Sequence, residues 1–124
     1  MKYLTLPEII ELHEQMIELE GGLPGIRDEN LLHSCVEMPK MSCFGVELYP
    51  TIYDKASTYL FHIIQNHPFN DANKRTAVIA MEVFFKVNDV KTNFGDTFLK
   101  NLAVSIADGT IKKESISMIL ENNK

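Results

Sequence analysis

No apolar run in the 124-residue sequence approaches the roughly 18 to 20 residues that cross a bilayer, so a membrane helix is excluded. Cysteine is scarce too. Cys35 and Cys43 form no CxxC pair and cannot build a disulfide framework, and they read as free thiols of a reducing cytoplasm. Positive charge is not in excess: 12 Lys+Arg stand against 17 Asp+Glu, a net charge of −5. A chain of that sign is not held on nucleic acid by bulk charge. Repeats of roughly 20 to 50 residues, low-complexity tracts and long linkers are also missing, which predicts one continuous domain over 1–124. The start, Met1-Lys2-Tyr3-Leu4, leads into a patterned segment rather than a signal peptide. What is present is an ordinary globular composition, 45% hydrophobic and 23% charged, which excludes a disordered or collagen-like chain. The expectation is a small cytoplasmic domain whose function resides in a local site.

Helical periodicity dominates. Thr5 and Glu8 have the spacing of a capping box. Behind them Ile9, Leu12, His13, Met16 and Leu19 recur on one helix face up to Gly21-Gly22. Asp28 is placed to cap a short helix with Leu31, Leu32, Cys35 and Val36, stopped by Pro39. Phe44, Val46 and Leu48 then alternate with Gly45, Glu47 and Tyr49, the period of a short strand or hairpin arm. Pro50 sits at an expected first turn, and Ile52, Ala56, Tyr59, Leu60, Ile63 and Ile64 form a strong helical stripe closed by Pro68. Ala77, Met81, Phe84, Phe85 and Val87 mark a second long helix. Asp96 is expected to cap a third with Phe98, Leu99, Leu102 and Ile106, and Gly109 separates it from a last one with Ile111, Ile116 and Leu120. About six helices predict an all-α domain, with a short β-flap before the first long helix.

The segment joining the two long helices reads His67-Pro68-Phe69-Asn70-Asp71-Ala72-Asn73-Lys74-Arg75-Thr76. Phe69, its one large apolar side chain, is expected to anchor the loop in the core. A helix starting near Asn73 turns its unpaired N–H groups and positive dipole end toward the loop, a place that favours anions. Lys74 and Arg75 oppose that dipole, a conflict that a polyanion would remove. Asp71 supplies an oxygen of the kind Mg²⁺ uses alongside substrate phosphates. Imidazole is plentiful in its neutral form near neutral pH, so His67 is the candidate to accept a hydroxyl proton. Together these residues point to transfer of a phosphate-containing group from a nucleotide.

The same segment resembles the His-Pro-Phe-x-Asp-Gly-Asn-x-Arg motif of the Fic/death-on-curing (Doc) family, matched by His67, Pro68, Phe69, Asp71, Asn73 and Arg75, with Ala72 in place of Gly. Lys74 occupies the variable position, where Lys marks the death-on-curing branch and Gly the adenylyl-transferring Fic enzymes. Gly21 to Asp28 and Leu48-Tyr49-Pro50-Thr51 resemble further segments of that branch. The resemblance implies His67 as general base on a protein hydroxyl, Asp71 as Mg²⁺ ligand, and Asn73, Lys74 and Arg75 as holders of the phosphates of ATP. It implies a toxin-type protein kinase acting on a Ser/Thr hydroxyl, with elongation factor Tu as target, translation as the process blocked, and a cognate antitoxin binding in trans. Adenylyl transfer from the same site is the alternative, and a non-catalytic regulatory relative is the other. The resemblance also implies that the flap pairs with the target's backbone as an added strand.

Other residues read more plainly. His62 lies five positions before His67, but Pro68 interrupts the helix, and His13 and His33 have no ligand spacing, so a zinc cluster is disfavoured. Ser117 to Asn122 fits the Ser-x-x-x-Glu-Asn pattern of self-inhibited Fic enzymes, yet Val78 stands where the partner arginine belongs. If position 72 requires positive φ, Ala is strained there by roughly 1–2 kcal/mol, although some death-on-curing members carry Ala at this position.

Overall fold

Thr5 opens the first helix as expected: its hydroxyl accepts from Glu8 N, and the Glu8 carboxylate accepts from Thr5 N. The helix, α1, runs Leu6–Glu20 and ends at Gly21, whose φ is 80. In this computed structural model, which describes residues 1–124, five more helices follow: α2 Glu29–Glu37, α3 Ile52–Asn66, α4 Asn73–Val87, α5 Asp96–Ala107 and α6 Lys113–Asn123. The architecture is all-α apart from a hairpin of two-residue strands, β1 Ser42–Cys43 and β2 Val46–Glu47. No helix is long and apolar enough to cross a membrane.

The antiparallel pair α3 and α4 is the centre. Helix α3 packs on α2, α4, α5 and α6, and α1 lies against α4. The stripe read from the sequence is the buried one: Tyr59, Leu60, Ile63 and Ile64 from α3 meet Ala77, Met81, Phe84 and Phe85 from α4 in a cluster of 22 buried hydrophobic residues. Tyr59 and Phe84 rings lie 5.0 Å apart, and the Tyr59 hydroxyl accepts from Leu4 N at 3.0 Å. That bond ties the start of the chain to the central helix.

Several local expectations shift. Helix α2 ends at Glu37, before Pro39 as expected, but the chain continues through a 3₁₀ turn, Met38–Lys40, that contains the proline. Pro50 sits one residue outside the cap of α3 rather than in its first turn, because Thr51 and Asp54 form a second capping box. Asp96 is the first residue of α5, not its cap; Gly95 takes the cap position with no side-chain bond. Phe44 is not in a strand at all. It forms the hairpin turn with Gly45, φ 51 and φ 78, the doubly left-handed geometry that suits the twist of a two-residue connection. Both strands are exposed on both faces.

Candidate active site at the α3–α4 loop

The site is built where α3 hands over to α4. Helix α3 ends at Asn66, and His67 takes a left-handed conformation, φ 47 and ψ 56, just before Pro68. Its imidazole is exposed to solvent. Phe69 turns into the core, 1% exposed, and its ring stacks on His13 of α1 with centroids 3.9 Å apart and planes 4° from parallel. His13 Nε2 lies 2.9 Å from the Asp71 carbonyl; since that oxygen can only accept, the proton sits on Nε2. The loop is thus gripped from both ends of one ring contact.

Asn73 closes the loop from within. Its Oδ1 accepts from Phe69 N and its Nδ2 donates to Phe69 O, both at 3.0 Å. The same Nδ2 reaches only 3.5 Å from His67 Nδ1, too long to hold the imidazole. The Asn73 side chain is buried and spent on this clasp; what it offers outward is its backbone N–H.

The loop Gly21 to Asp28 forms the facing wall. Arg27 N and Asp28 N both donate to Pro68 O, and Asn70 N donates to Gly25 O. The Arg27 guanidinium donates to the carbonyls of His67 and Asn66. Leu23 N donates to Asp71 Oδ2 at 3.0 Å, while Ala72 N donates to Oδ1 at 2.8 Å. These two N–H groups, joined by the charges of Arg75 and His13, outweigh a slight desolvation and hold the Asp71 carboxyl below its ordinary range. Gly22, at φ +123, permits the approach: a Cβ there would lie 2.8 Å from Asp71 Oδ2.

Helix α4 begins without a cap. Ala72 precedes it with φ 61 and ψ 26 and gives no side-chain bond, so the position does require positive φ and the alanine accepts it. The N–H groups of Asn73, Lys74 and Arg75 have no acceptor in the chain. Lys74 is exposed and makes no side-chain bond, whereas Arg75 donates to Gly21 O at 3.3 Å and lies 3.6 Å from Glu20 Oε1. These two residues border an open groove of about 480 Å³ between α1, α4 and α5, with Met16, Val78 and Leu99 in its lining. Three unpaired donors at a positive helix end, flanked by two cations, can receive phosphate oxygens. No cluster of three or more metal-binding side chains exists. Asp71 alone keeps lone pairs on both oxygens beyond the two backbone bonds, and one carboxylate beside substrate phosphates is the set Mg²⁺ takes.

The sequence model of the Fic/DOC family matches residues 3–85, from the start of the fold through the loop to the end of the α4 core. The chain belongs to the Fic/DOC family. It is 32% identical over 117 residues to protein kinase doc of Escherichia phage P1, a match covering 94% of this chain and 91% of that protein. It is 39% identical over 71 residues to toxin Doc of Mycolicibacterium smegmatis, covering 57% of this chain and 55% of that one.

All six residues named from the sequence lie on this Fic/DOC loop and the first turn behind it: His67, Phe69, Asp71, Asn73, Lys74 and Arg75. Sequence reasoning passed over the residues that grip the loop from outside. His13 stood out as one polar residue on the apolar stripe of α1, a signal that it has a buried partner. Leu23 and Arg27 lie in the Gly21 to Asp28 segment that resembles the family, but nothing in their types or spacing pointed to these contacts. The plain readings fit the structure: His62 is a half-buried residue of α3, its pKa pushed down to about 4 by burial and then by Lys113. Ser117 donates to Asp54 Oδ1 at 2.6 Å, at the opposite end of α3 from the loop.

Proposed function

We propose that this Fic/DOC chain is a toxin-type protein kinase that transfers the γ-phosphate of ATP to a Ser/Thr hydroxyl of a protein. The supporting observation is the pairing, within one short loop, of an exposed His67 with a helix start whose first three N–H groups are unpartnered. A relative matched over 91% of its length bears the name protein kinase doc. In this reading the phosphates of ATP rest on the N–H groups of Asn73, Lys74 and Arg75 and on the side chains of Lys74 and Arg75. Asp71 would hold Mg²⁺, which when bound would neutralise phosphate charge. His67 accepts the hydroxyl proton as the new O–P bond forms, and the bond from the γ-phosphorus to the β,γ-bridging oxygen breaks to release ADP. Positioning and charge neutralisation do most of the work in such transfers; a general base adds typically about 10²–10⁴-fold.

The target is elongation factor Tu, the process blocked is translation, and the setting is the cytoplasm. An antitoxin segment lies in trans in the groove beside Lys74 and Arg75, whose apolar floor and charged rim suit an amphipathic partner. The hairpin at Ser42–Glu47 offers exposed edges to which target backbone can add as a strand.

The deciding experiment supplies the purified protein with Mg²⁺, a bacterial lysate, and ATP labelled at either the γ- or the α-phosphate, beside a His67→Ala control. Label from the γ position alone, absent in the control, is the expected result. Transfer from the α position would instead make the protein an adenylyltransferase, and no transfer from either would leave a binding role.

A further inference from the structure

We propose that Arg27 is a positioning residue for His67, setting the conformation from which the imidazole works; the catalytic part of this claim rests on the reading of His67 as base. The general base sits on backbone in an uncommon state. His67 is left-handed, φ 47, and it precedes a proline, whose ring further narrows the conformations open to the residue before it. No hydrogen bond from the His67 side chain fixes that state, since its one polar contact is 3.5 Å long. The backbone is fixed from outside. Arg27 Nε donates to His67 O at 2.6 Å and Arg27 Nη2 donates to Asn66 O at 2.7 Å.

The geometry has three consequences. The two carbonyls are orphans of the α3 terminus, so the guanidinium satisfies acceptors that the helix cannot. It places a cation at the negative end of the α3 dipole, where it is favoured. Both bonds are made by one rigid fork, so the two peptide planes that flank the His67 Cα cannot turn independently; the left-handed state is the one that presents both carbonyls to it. Arg27 forms no ion pair with any carboxylate, so these carbonyls are its whole side-chain role. Its own N–H and that of Asp28 continue the grip on Pro68 O. Lysine at this position supplies a single ammonium that cannot span the fork.

The phosphate cradle hangs on other contacts. Asp71 is held by Leu23 and Ala72, Arg75 by Gly21 and Glu20, and the α4 N–H groups by the helix itself. Loss of the fork therefore separates the base from the nucleotide site. For Arg27→Lys and Arg27→Ala we expect kcat to fall about 10²-fold, the scale of a misplaced catalytic group. The KM for Mg-ATP should stay within about twofold, because the cradle's contacts are untouched.

The test measures both constants by γ-phosphate transfer to purified elongation factor Tu, and records the His67 Cα and ring Hε1 resonances of labelled wild type and variants. Arg27 is exposed, so methylguanidinium can enter beside Arg27→Ala, and it should restore part of kcat and return the His67 resonances toward wild type. Unchanged kcat in Arg27→Lys would overturn the proposal. So would a kcat loss matched by the loss of folded protein with unmoved His67 resonances, or a rise in KM alone. If the wild type transfers no phosphate to elongation factor Tu, it is the reading of target or of kinase that fails; the resonances then decide, with a shifted His67 Cα supporting the fork and an unshifted one refuting it.

Discussion

Asn73→Ala separates two jobs that one side chain could do, and the structure gives the magnitude. If the amide serves the loop, its removal strips partners from Phe69 N and Phe69 O, which lie beside a residue 1% exposed. A buried polar group left without a partner costs about 1–3 kcal/mol, the N–H more dependably than the carbonyl. Two such groups sum to about 2–6 kcal/mol, and the better helix propensity of alanine returns roughly 0.5 kcal/mol. The net is about 1.5–5.5 kcal/mol. At about 2.1 cal/mol/K per residue, a chain of 124 residues unfolds with an entropy of about 260 cal/mol/K, so Tm should fall by about 6–21 °C. Thermal denaturation followed by circular dichroism, without nucleotide, measures this. The backbone N–H of residue 73 survives the substitution, so the KM for ATP of the folded fraction should rise by less than about threefold. A Tm within about 2 °C of wild type together with a large rise in KM would refute the reasoning and return Asn73 to the phosphates.

Three further outcomes follow from the same geometry. Gly22→Ala puts a Cβ 2.8 Å from Asp71 Oδ2 at φ +123; the carboxylate must shift from Leu23 N, so the Mg²⁺ concentration for half-maximal transfer should rise, while Gly109→Ala, strained at φ +83 but with open space around it, should not change it. His62, with its pKa pushed down from 6.5 to about 4, makes stability pH-dependent: the unfolded chain binds a proton there that the fold resists. Its contribution is whole above 6.5 and is lost as pH falls toward 4, and urea titrations of His62→Gln across that range should show a flatter acid limb. Burial raises the Cys35 thiol to about 11, whereas Cys43 is exposed on the hairpin; a thiol reagent should therefore modify one cysteine in the folded protein and both only after denaturation, and two fast thiols in the native state would contradict the burial of α2.

What could be read from the sequence was local. Thr5 with Glu8, and the stripe from Ile52 to Ile64, depend on neighbours three or four positions away, and both hold. The loop residues were legible because their types are unusual together, not because their contacts could be seen. The losses are long-range or depend on fine geometry. Arg27 reaches carbonyls 39 and 40 positions away, and no periodicity encodes that. Alternation from Phe44 to Leu48 resembled one strand face, yet Gly45 beside Phe44 was the stronger signal and made a turn. Asp96 and Pro50 each missed their expected helix positions by one residue, because Gly95 takes the cap of one helix and Thr51 with Asp54 the other. Asn73 does begin α4, but its amide faces inward, which only the bonds to Phe69 reveal.

The stitching of the loop also imposes an order of birth. Arg27 and His67, Leu23 and Asp71, His13 and Asp71 are 40, 48 and 58 residues apart. At about 5–20 residues per second, a ribosome leaves His13 waiting roughly 3–12 s for the carbonyl it will hold. During that interval α1 has an apolar face and no α4 to cover it, and the unpaired N–H groups at Asn73 do not yet exist. A growing chain therefore cannot assemble this loop until α4 has emerged. The loop is completed in one late step rather than by degrees.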